Sequence, residues 1–523
     1  MSDILKKIII GFVCVFILAI ISFFVANYKI KGMLIERIDN MPNHIKINFK
    51  AIDVNSFSGN LSVQKPAVTI YGQTTDSVNA LFQLERLEIR DISYWNVLFK
   101  DEISIETMLL NDLKATYFYN SALKSEVYSG NFKNSIKKDF NIAVFEINSG
   151  QIEIINQKTD SLFFKTDDFN LKMNNLNIDE SSIKNKIPFE FDDIALDLKN
   201  IYYHLNSYED LKIETATLKN NNSIFNNIKI KTKYSKTKLS KIISKERDHF
   251  NLQIKTLNFE DTDFSFSKDS VFQLNIAQID IKEPKIDMYR DKLVTDDESV
   301  KPLYSKMLRD LNFNITLNEI NIDNGEIIYE EQVNMENTAG QLKFSKFNTI
   351  VKNLGNAYSE QKSTEIKIES VFMENTPVNI DWNFNVSNLK DHFTFKADIG
   401  RLNTTDLNQF TQPNLNVKLD GELLKTYFTI NGNNTLSNID LKTNYNEFNV
   451  QVLKENGNEK NKFLSSLVNL FISKNSQKKS SYFRYGSSED VERDKTKSIF
   501  NFIWLNTKSG LLSAMTGSGE KKG

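Results

Sequence analysis

Histidines, the commonest metal ligands and general bases in proteins, are few and scattered in this sequence. His44, His204, His249 and His392 each stand alone, and none forms an HxH or HExxH pair that would place two ligands on one metal. We therefore expect these side chains in exposed loops or strands, and we predict no metal site.

Acidic residues form short clusters without the spacing that chemistry requires. None of the clusters has the further oxygen ligands and the glycine of an EF-hand loop, so solvated turns explain them. The sequence also lacks a GxSxG elbow, a P-loop and a GxGxxG turn. We predict that the chain is not an enzyme and binds no cofactor. The acidic clusters are Asp167/Asp168, Asp192/Asp193, Asp261/Asp263 and Asp296/Asp297/Glu298.

Composition excludes further classes of function. The single cysteine, Cys14, lies in an apolar N-terminal run, so nothing beyond residue 28 can form a disulfide or act as a thiol nucleophile. Lys and Arg number 65 against 67 Asp and Glu, and without a basic excess we expect no nucleic-acid partner. At 523 residues the chain exceeds the size of one compact core, which favours several domains or an extended repetitive architecture.

Residues 8–25 form an uncharged run of mostly Ile, Leu, Val and Phe that is just long enough to span a bilayer. A cleaved signal peptide is the alternative, but cleavage after Ala26 would put Phe24 where a small residue is needed. We therefore predict an uncleaved transmembrane anchor.

The orientation of this anchor is weakly encoded, because lysines flank the run on both sides. We expect a cytoplasmic N-terminus, a single pass through a bacterial inner membrane, and the bulk of the chain in the periplasm. An anchored eukaryotic luminal protein is the other interpretation, although a cysteine-free luminal region argues against it.

Between residues 46 and 455 apolar and polar residues mostly alternate, which predicts half-buried β-strands. Examples are Phe393-Thr-Phe395 and Leu415-Asn-Val417. Asn431-Gly432 between two such runs predicts a tight hairpin, because this pair tolerates positive φ. The fold expected is mainly β, with an antiparallel sheet.

One phrase recurs along the chain and predicts a repeated unit. Phe145-Glu-Ile147-Asn-Ser-Gly150 is echoed by Ile320-Asn-Ile322-Asp-Asn-Gly325, and a looser copy at Leu257-Asn-Phe259 lacks the glycine. Alternating apolar residues lie on both sides of a short polar turn, so we interpret each copy as a hairpin able to stack on its neighbours.

Helices are expected at few places. Pro302 begins a short helix that ends at Arg309, and apolar residues at 463–472 and 499–515 have helical spacing. These last helices either cap the open end of the sheet or dock on a membrane or an envelope protein partner. The docking candidates are Phe500, Ile503, Trp504, Leu511 and Leu512. The predicted domains are an anchor at 1–28, β-units at 29–120, 121–300 and 301–455, and C-terminal helices with a polar tail at 456–523.

The layout resembles the AsmA-like family of inner-membrane-anchored periplasmic proteins, relatives of TamB and of bridge-like lipid transfer proteins. Residues 47–63 after the anchor are similar to the family's first hairpin. Residues 84–99 and 103–117 look like its strand, one-turn helix, strand, strand pattern, and 303–330 look like units of Bacteroidota members. The resemblance covers the first 120 residues and the middle of the chain, and the C-terminal third only poorly.

This resemblance implies an elongated, curved, repetitive sheet whose apolar face forms a groove for phospholipid or another acyl-chain lipid, and a role in intermembrane lipid transport or outer-membrane biogenesis. Burial of each methylene would contribute about 0.8 kcal/mol. A closed sandwich core, and with it a non-enzymatic scaffold that binds partners through sheet edges and the C-terminal helices, is the alternative. The groove candidates are Phe145, Ile147, Leu257, Phe259, Ile320, Ile322, Phe393, Phe395, Leu415 and Val417.

Overall fold

The computed structural model describes most of the chain after residue 29. The described ranges are 30–55, 58–72, 77–93, 96, 99–100, 102–120, 139–267, 270–359, 361–454, 475–476 and 482–517. The predicted anchor at 8–25 and the predicted helix at 463–472 lie outside them. Each helix within these ranges is too short or too polar to cross a membrane.

The chain is mainly β, as predicted, and its described residues form 25 strands. Contacts divide it into two compact units, residues 1–226 (unit 1) and 227–523 (unit 2), and the division falls inside a strand.

The described part of unit 1 starts with a helix whose buried Leu34 and Ile38 pack on the apolar core beside the second strand. The strands that follow bury one face each, in agreement with the period-two pattern. The elements are α1 (Ile30–Asp39), β1 (Ile45–Asn48), β2 (Ala51–Asn55), β3 (Asn60–Gln64), β4 (Ala67–Tyr71), β5 (Val78–Gln83), β6 (Arg86–Ile92), β7 (Glu102–Asn111), β8 (Lys114–Tyr119), β9 (Asp139–Asn156), β10 (Leu162–Ile178), a 3-10 turn (Ser182–Lys184), β11 (Asp193–His204), β12 (Glu209–Lys219) and β13 (Asn222–Thr232), which contains the division.

Unit 2 confirms the short helix after Pro302 and a hairpin in this region. Asn431 and Gly432 are themselves paired strand residues without positive φ, so the positive-φ turn predicted at this pair is wrong. The turn follows them, and Asn433 Oδ1 accepts hydrogen bonds from two of its N–H groups. The elements of unit 2 are α2 (Lys236–Ile242), β14 (His249–Phe266), β15 (Phe272–Lys282), β16 (Lys285–Asp291), α3 (Tyr304–Arg309), β17 (Asn314–Gln332), β18 (Gly340–Gly355), β19 (Thr364–Phe372), β20 (Thr376–Phe384), β21 (Phe393–Ile399), β22 (Leu402–Asn403), a 3-10 turn (Thr404–Leu407), α4 (Asn408–Leu415), β23 (Val417–Gly432), β24 (Leu436–Val452), β25 (Arg484–Glu492) and α5 (Ile499–Thr516).

The prediction of an antiparallel sheet is wrong at two places. The long strand β9 pairs in parallel with both β7 and β8, and β17 pairs in parallel with both β15 and β16. Parallel neighbours need a crossover connection rather than a tight turn. In unit 2 the crossover is the segment 292–313, which contains α3.

The recurring phrase marks a repeat, but its interpretation as a hairpin is wrong. Each copy lies within one long strand, and Ser149, Asn324 and Asp261 have positive φ (56°, 52° and 49°). The ladders of β9 and β17 shift register beside these residues, as expected of a β-bulge. A Cβ at Gly150 would lie 2.2 Å from the Phe169 ring, so any other residue at the first bulge would displace this buried side chain.

The same arrangement occurs once in each unit. Asp112, between β7 and β8, has positive φ and donates its backbone N–H to Asn148 O at 2.9 Å. Glu283, between β15 and β16, also has positive φ and donates to Asp323 O at 2.8 Å. In both units, therefore, two consecutive strands joined by a kink pair in parallel with one long strand, one before and one after its bulge.

We expect the bulge of β17 to discriminate sharply between side chains. The change Asn324→Val should destabilise unit 2 by about 1–2 kcal/mol, because a β-branched residue is strained in the left-handed region, whereas Asn324→Gly should be tolerated. Urea unfolding of the two variants measures this difference. Equal stability of both variants would show that the bulge is not held in the folded protein.

Candidate functional site

Two adjacent rows of side chains cross nine strands of unit 2 on one face. Residues directly opposite in register share a face, so the rows can be followed from strand to strand. We call them the apolar strip. The first row is Phe259, Ile279, Ile320, Val351, Ile366, Trp382, Phe395, Ile430 and Ile439; the second is Leu257, Ile281, Ile322, Thr349, Ile368, Ile380, Ala397, Phe428 and Leu441.

Burial changes along the strip. In β21, β23 and β24 all six of its side chains are buried, down to 0% exposure at Ile430. In β14, β15 and β17 five of the six are only half-buried, Ile279 being the exception. The strip therefore has a covered end at β21–β24 and a partly open end at β14–β17.

Helix α5 covers the strip at β21–β24. Phe502 and Ala514 are fully buried in the cluster that contains Phe395 and Ile430, and Ile503 and Leu511 pack against the same cluster. Each large apolar side chain that is fully buried contributes about 1.5–3 kcal/mol. The predicted capping of the sheet by C-terminal helices is thus confirmed for α5.

Polar contacts fix the position of α5. Ser498 caps its N-terminus by accepting from the Asn501 N–H, and Asn506, buried in the middle of the helix, donates to Ser437 Oγ at 2.7 Å. At the other end Arg484 donates to Ala514 O at 2.7 Å, which satisfies a carbonyl at the end of the helix. The cover is therefore held in one register on the sheet.

The crossover that contains α3 also lies on the strip. Leu303 is buried in the same cluster, and the Tyr304 ring lies 5.5 Å from that of Trp382. The buried carboxylate of Asp391 accepts hydrogen bonds from Ser305 and Arg309, both at 2.8 Å, and so anchors α3 to the loop just before β21.

Charges hold the segment that leads to α3. Arg290 forms two hydrogen bonds of 2.7 Å with Asp248, and Lys292 pairs with Glu246 at 2.7 Å. Burial lowers the pKa of Arg290, but its hydrogen bonds to Asp248 outweigh this effect, so the pKa lies above its ordinary value and the guanidinium stays charged.

A similar row exists in unit 1. Leu110, Ile147, Leu171, Leu196 and Leu218 are aligned in register across five strands. Exposure rises along this row, since Leu110 and Ile147 are buried whereas the last three are half-buried. Each unit therefore contains an apolar row that is sealed at one end only.

The predicted groove residues have different fates. Phe145 and Ile147 lie in the sealed core of unit 1. Leu257, Phe259, Ile320 and Ile322 lie together at the partly open end of the strip, and Phe393 and Phe395 lie beneath α5. Val417 is half-buried at the start of β23. Leu415 is not in a strand as its alternation predicted; it ends helix α4 and is 50% exposed.

The predicted docking residues divide between two faces of α5. Ile503 and Leu511 face the sheet, whereas Phe500, Trp504 and Leu512 are 60%, 49% and 48% exposed. The exposed residues follow a spacing of four, which places them on one stripe with the exposed Lys508. We call this the outer stripe.

Sequence reasoning missed several members of the strip. Trp382 and Ile430, like Ile366 and Ile368, alternate with polar residues and could have been chosen on that signal. Val351 directly follows Ile350 and joins the strip through strand register alone. The described residues contain no cluster of three or more His, Cys, Asp or Glu side chains able to hold a metal ion.

Comparison with known proteins gives no assignment. No protein-family model matches this chain, and no curated protein matches it. Its function must therefore be argued from the geometry of the strip and from the sequence.

We expect the cover to depend on close approach of α5 to β25. A Cβ at Gly486 would lie 2.2 Å from Gly510 O and 2.5 Å from Ala514 N, so Gly486→Leu should displace the helix and destabilise unit 2 by about 1–3 kcal/mol. Binding of the dye ANS should rise as the strip is uncovered. Gly32→Ala, at an open position of α1, is the control; it should neither destabilise unit 2 nor raise ANS binding. Unchanged dye binding in Gly486→Leu would contradict the role of α5 as a cover.

Proposed function

We propose that this chain is a non-enzymatic, inner-membrane-anchored periplasmic protein of the AsmA-like type that handles acyl-chain lipids along the apolar strip, in intermembrane lipid transport or outer-membrane biogenesis. Residues 8–25 would be the anchor, and the rest of the chain would lie in the periplasm as an elongated, curved sheet.

The observation that carries the proposal is the change of burial along one continuous apolar surface. Side chains at β21–β24 are covered by α5 and α3, whereas Phe259, Ile320 and Ile322 continue the same rows without full burial. An apolar surface left partly wet is a common mark of a ligand or partner site. A closed sandwich core would bury both ends of the rows alike.

The dimensions suit an acyl chain. From β14 to β20 the rows cross six strands, and five spacings of about 4.8 Å give roughly 24 Å. Beyond the partly open end, Ile366, Ile368 and Ile380 remain half-buried, whereas Thr349, Val351 and Trp382 are buried. A lipid tail spans half of a hydrocarbon core of about 30 Å in a bilayer. Each methylene that leaves water for the strip contributes about 0.8 kcal/mol, and movement along the rows requires no catalytic residue.

Crosslinking at neighbouring residues on opposite faces of β19 tests the proposal. Ile368 belongs to the strip and is half-buried, whereas Lys367 is exposed on the other face. A photoreactive residue at Ile368 should crosslink phospholipid in cells, and the same residue at Lys367 should not. Phe395, which lies beneath α5, should give weaker crosslinks than Ile368.

The control is purification in mild detergent followed by lipid extraction. Copurified phospholipid together with Ile368 crosslinks supports the proposal. Equal labelling at Ile368 and Lys367, or absence of both lipid and crosslinks, would leave only a tethered scaffold.

The outer stripe favours a second candidate function, docking on an envelope protein or on a membrane. Exposed Phe and Trp beside a lysine on one helix face are typical of such contacts, and α5 contains no acidic residue. A scaffold would use this stripe while its apolar strip stayed dry.

Removal of the exposed aromatic residues separates the two functions. The double change Phe500→Ser and Trp504→Ser should lower the unfolding midpoint only slightly, since both side chains are largely exposed and the Phe500 ring touches the sheet through one edge contact, 6.4 Å from the Trp382 ring. If docking is the function, cosedimentation with vesicles or capture of an envelope partner should be lost while lipid crosslinks at Ile368 persist. If the double variant retains its docking as well as the lipid crosslinks at Ile368, the stripe is excluded as a contact surface.

A further inference from the structure

The face of unit 2 opposite to the strip contains an ordered polar surface. Strand register aligns its side chains in three rows across β20, β21, β23, β24 and β25. We call it the polar grid. Its rows are Asn383, Thr394, Asn431 and Asn438; Asp381, Lys396, Thr429, Asp440 and Ser487; and Asn379, Asp398, Tyr427, Lys442 and Tyr485.

The grid contains both paired and unpaired polar side chains. Asp398 forms a cross-strand ion pair with Lys425, and Thr394 donates to Asn431 Oδ1 at 2.9 Å. Cross-strand ion pairs join Lys352 to Glu319 at 3.6 Å and Lys343 to Glu326 at 3.1 Å on earlier strands. Within the grid, Lys396 lies between Asp381 and Thr429 in register without an ion pair to any described residue. A solvent-facing sheet is usually polar, but here several of its hydrogen-bonding groups have been left without partners.

Five amide and carboxylate side chains of the grid have no partner among the described residues. They are exposed, and they make no hydrogen bond or ion pair with the residues that the structure describes. They are Asn379, Asp381, Asn383, Asn438 and Asp440.

Two cavities lie on the grid. One, of about 620 Å³, is lined by the first row together with His392, and the other, of about 870 Å³, is lined by members of the second and third rows. Both volumes are in the range of small-molecule and oligomer sites. Both cavities are widely open to solvent, and apolar residues such as Phe393 and Leu441 also contribute to their lining.

The chemistry of the grid matches a polyhydroxylated ligand. An Asn side chain offers both donors and an acceptor, as a sugar hydroxyl does, and Tyr485 adds a half-buried ring on which a sugar face can pack. Acidic and basic side chains alternate across the rows, so the grid lacks the basic excess that an anionic polymer requires.

We propose that the polar grid is a binding site for an uncharged oligosaccharide chain that lies across strands β20–β25. The site is independent of lipid handling: Phe395 and Lys396 are consecutive residues of β21 and face opposite sides of the sheet, so both surfaces can be occupied at once.

Calorimetric titration of the full chain tests this site. The protein is kept in a detergent without a sugar headgroup and titrated with chitotetraose, cellotetraose and maltotetraose. At least one of these sugars should bind. The double change Asn431→Ala and Asn438→Ala should weaken that binding about tenfold or more, because it removes hydrogen bonds to the ligand.

Asn446→Ala is the matched control, since Asn446 is exposed on β24 outside the grid. It should leave the affinity unchanged, and a thermal melt of each variant checks that unit 2 is folded. If the double variant does not fold, the single change Asn383→Ala replaces it. Absence of binding by all three sugars, equal affinity of grid and control variants, or binding of a protein partner through the grid would overturn the proposal.

Discussion

Cross-strand register in unit 2 is the constraint on which both surfaces depend. Alternation along a strand separates polar from apolar side chains, but only register places Ile320 beside Ile279 and Trp382 beside Phe395. A slip of one residue in any strand would turn its apolar side chains to solvent and its polar side chains into the strip. The bulge at Asn324 is held within that register.

The strip is asymmetric because its cover is local. Helix α5 is fixed by Asn506, Arg484 and the close packing at Gly486. The strip residues of β21–β24 beneath it therefore form a hydrophobic core. The β14–β17 end has the same composition with less burial. A ligand that fills the second region would gain hydrophobic free energy without displacing α5, which is why the proposed lipid path lies toward β14.

Composition and alternation sufficed to predict a β-rich chain, the hairpin after Gly432, the short helix before Arg309 and four residues of the partly open strip. They did not predict the parallel pairing of β17 with β15 and β16, because a strand has the same period in either ladder. Leu415 was misplaced because two alternating residues cannot be distinguished from the end of a helix such as α4. The bulges were taken for hairpins because Asn and Asp, which make up most of the non-glycine residues with positive φ, also favour tight turns.

The most direct test of the account is the rate of thiol labelling at two positions of the strip, with Cys14 replaced by Ser. Ile322→Cys, at the half-buried end, should react with a small maleimide much faster than Phe395→Cys beneath α5, and added short-chain phospholipid should slow the reaction at residue 322 alone. Equally slow labelling at both positions, unaffected by phospholipid, would show that the strip is sealed along its whole length and would contradict the account.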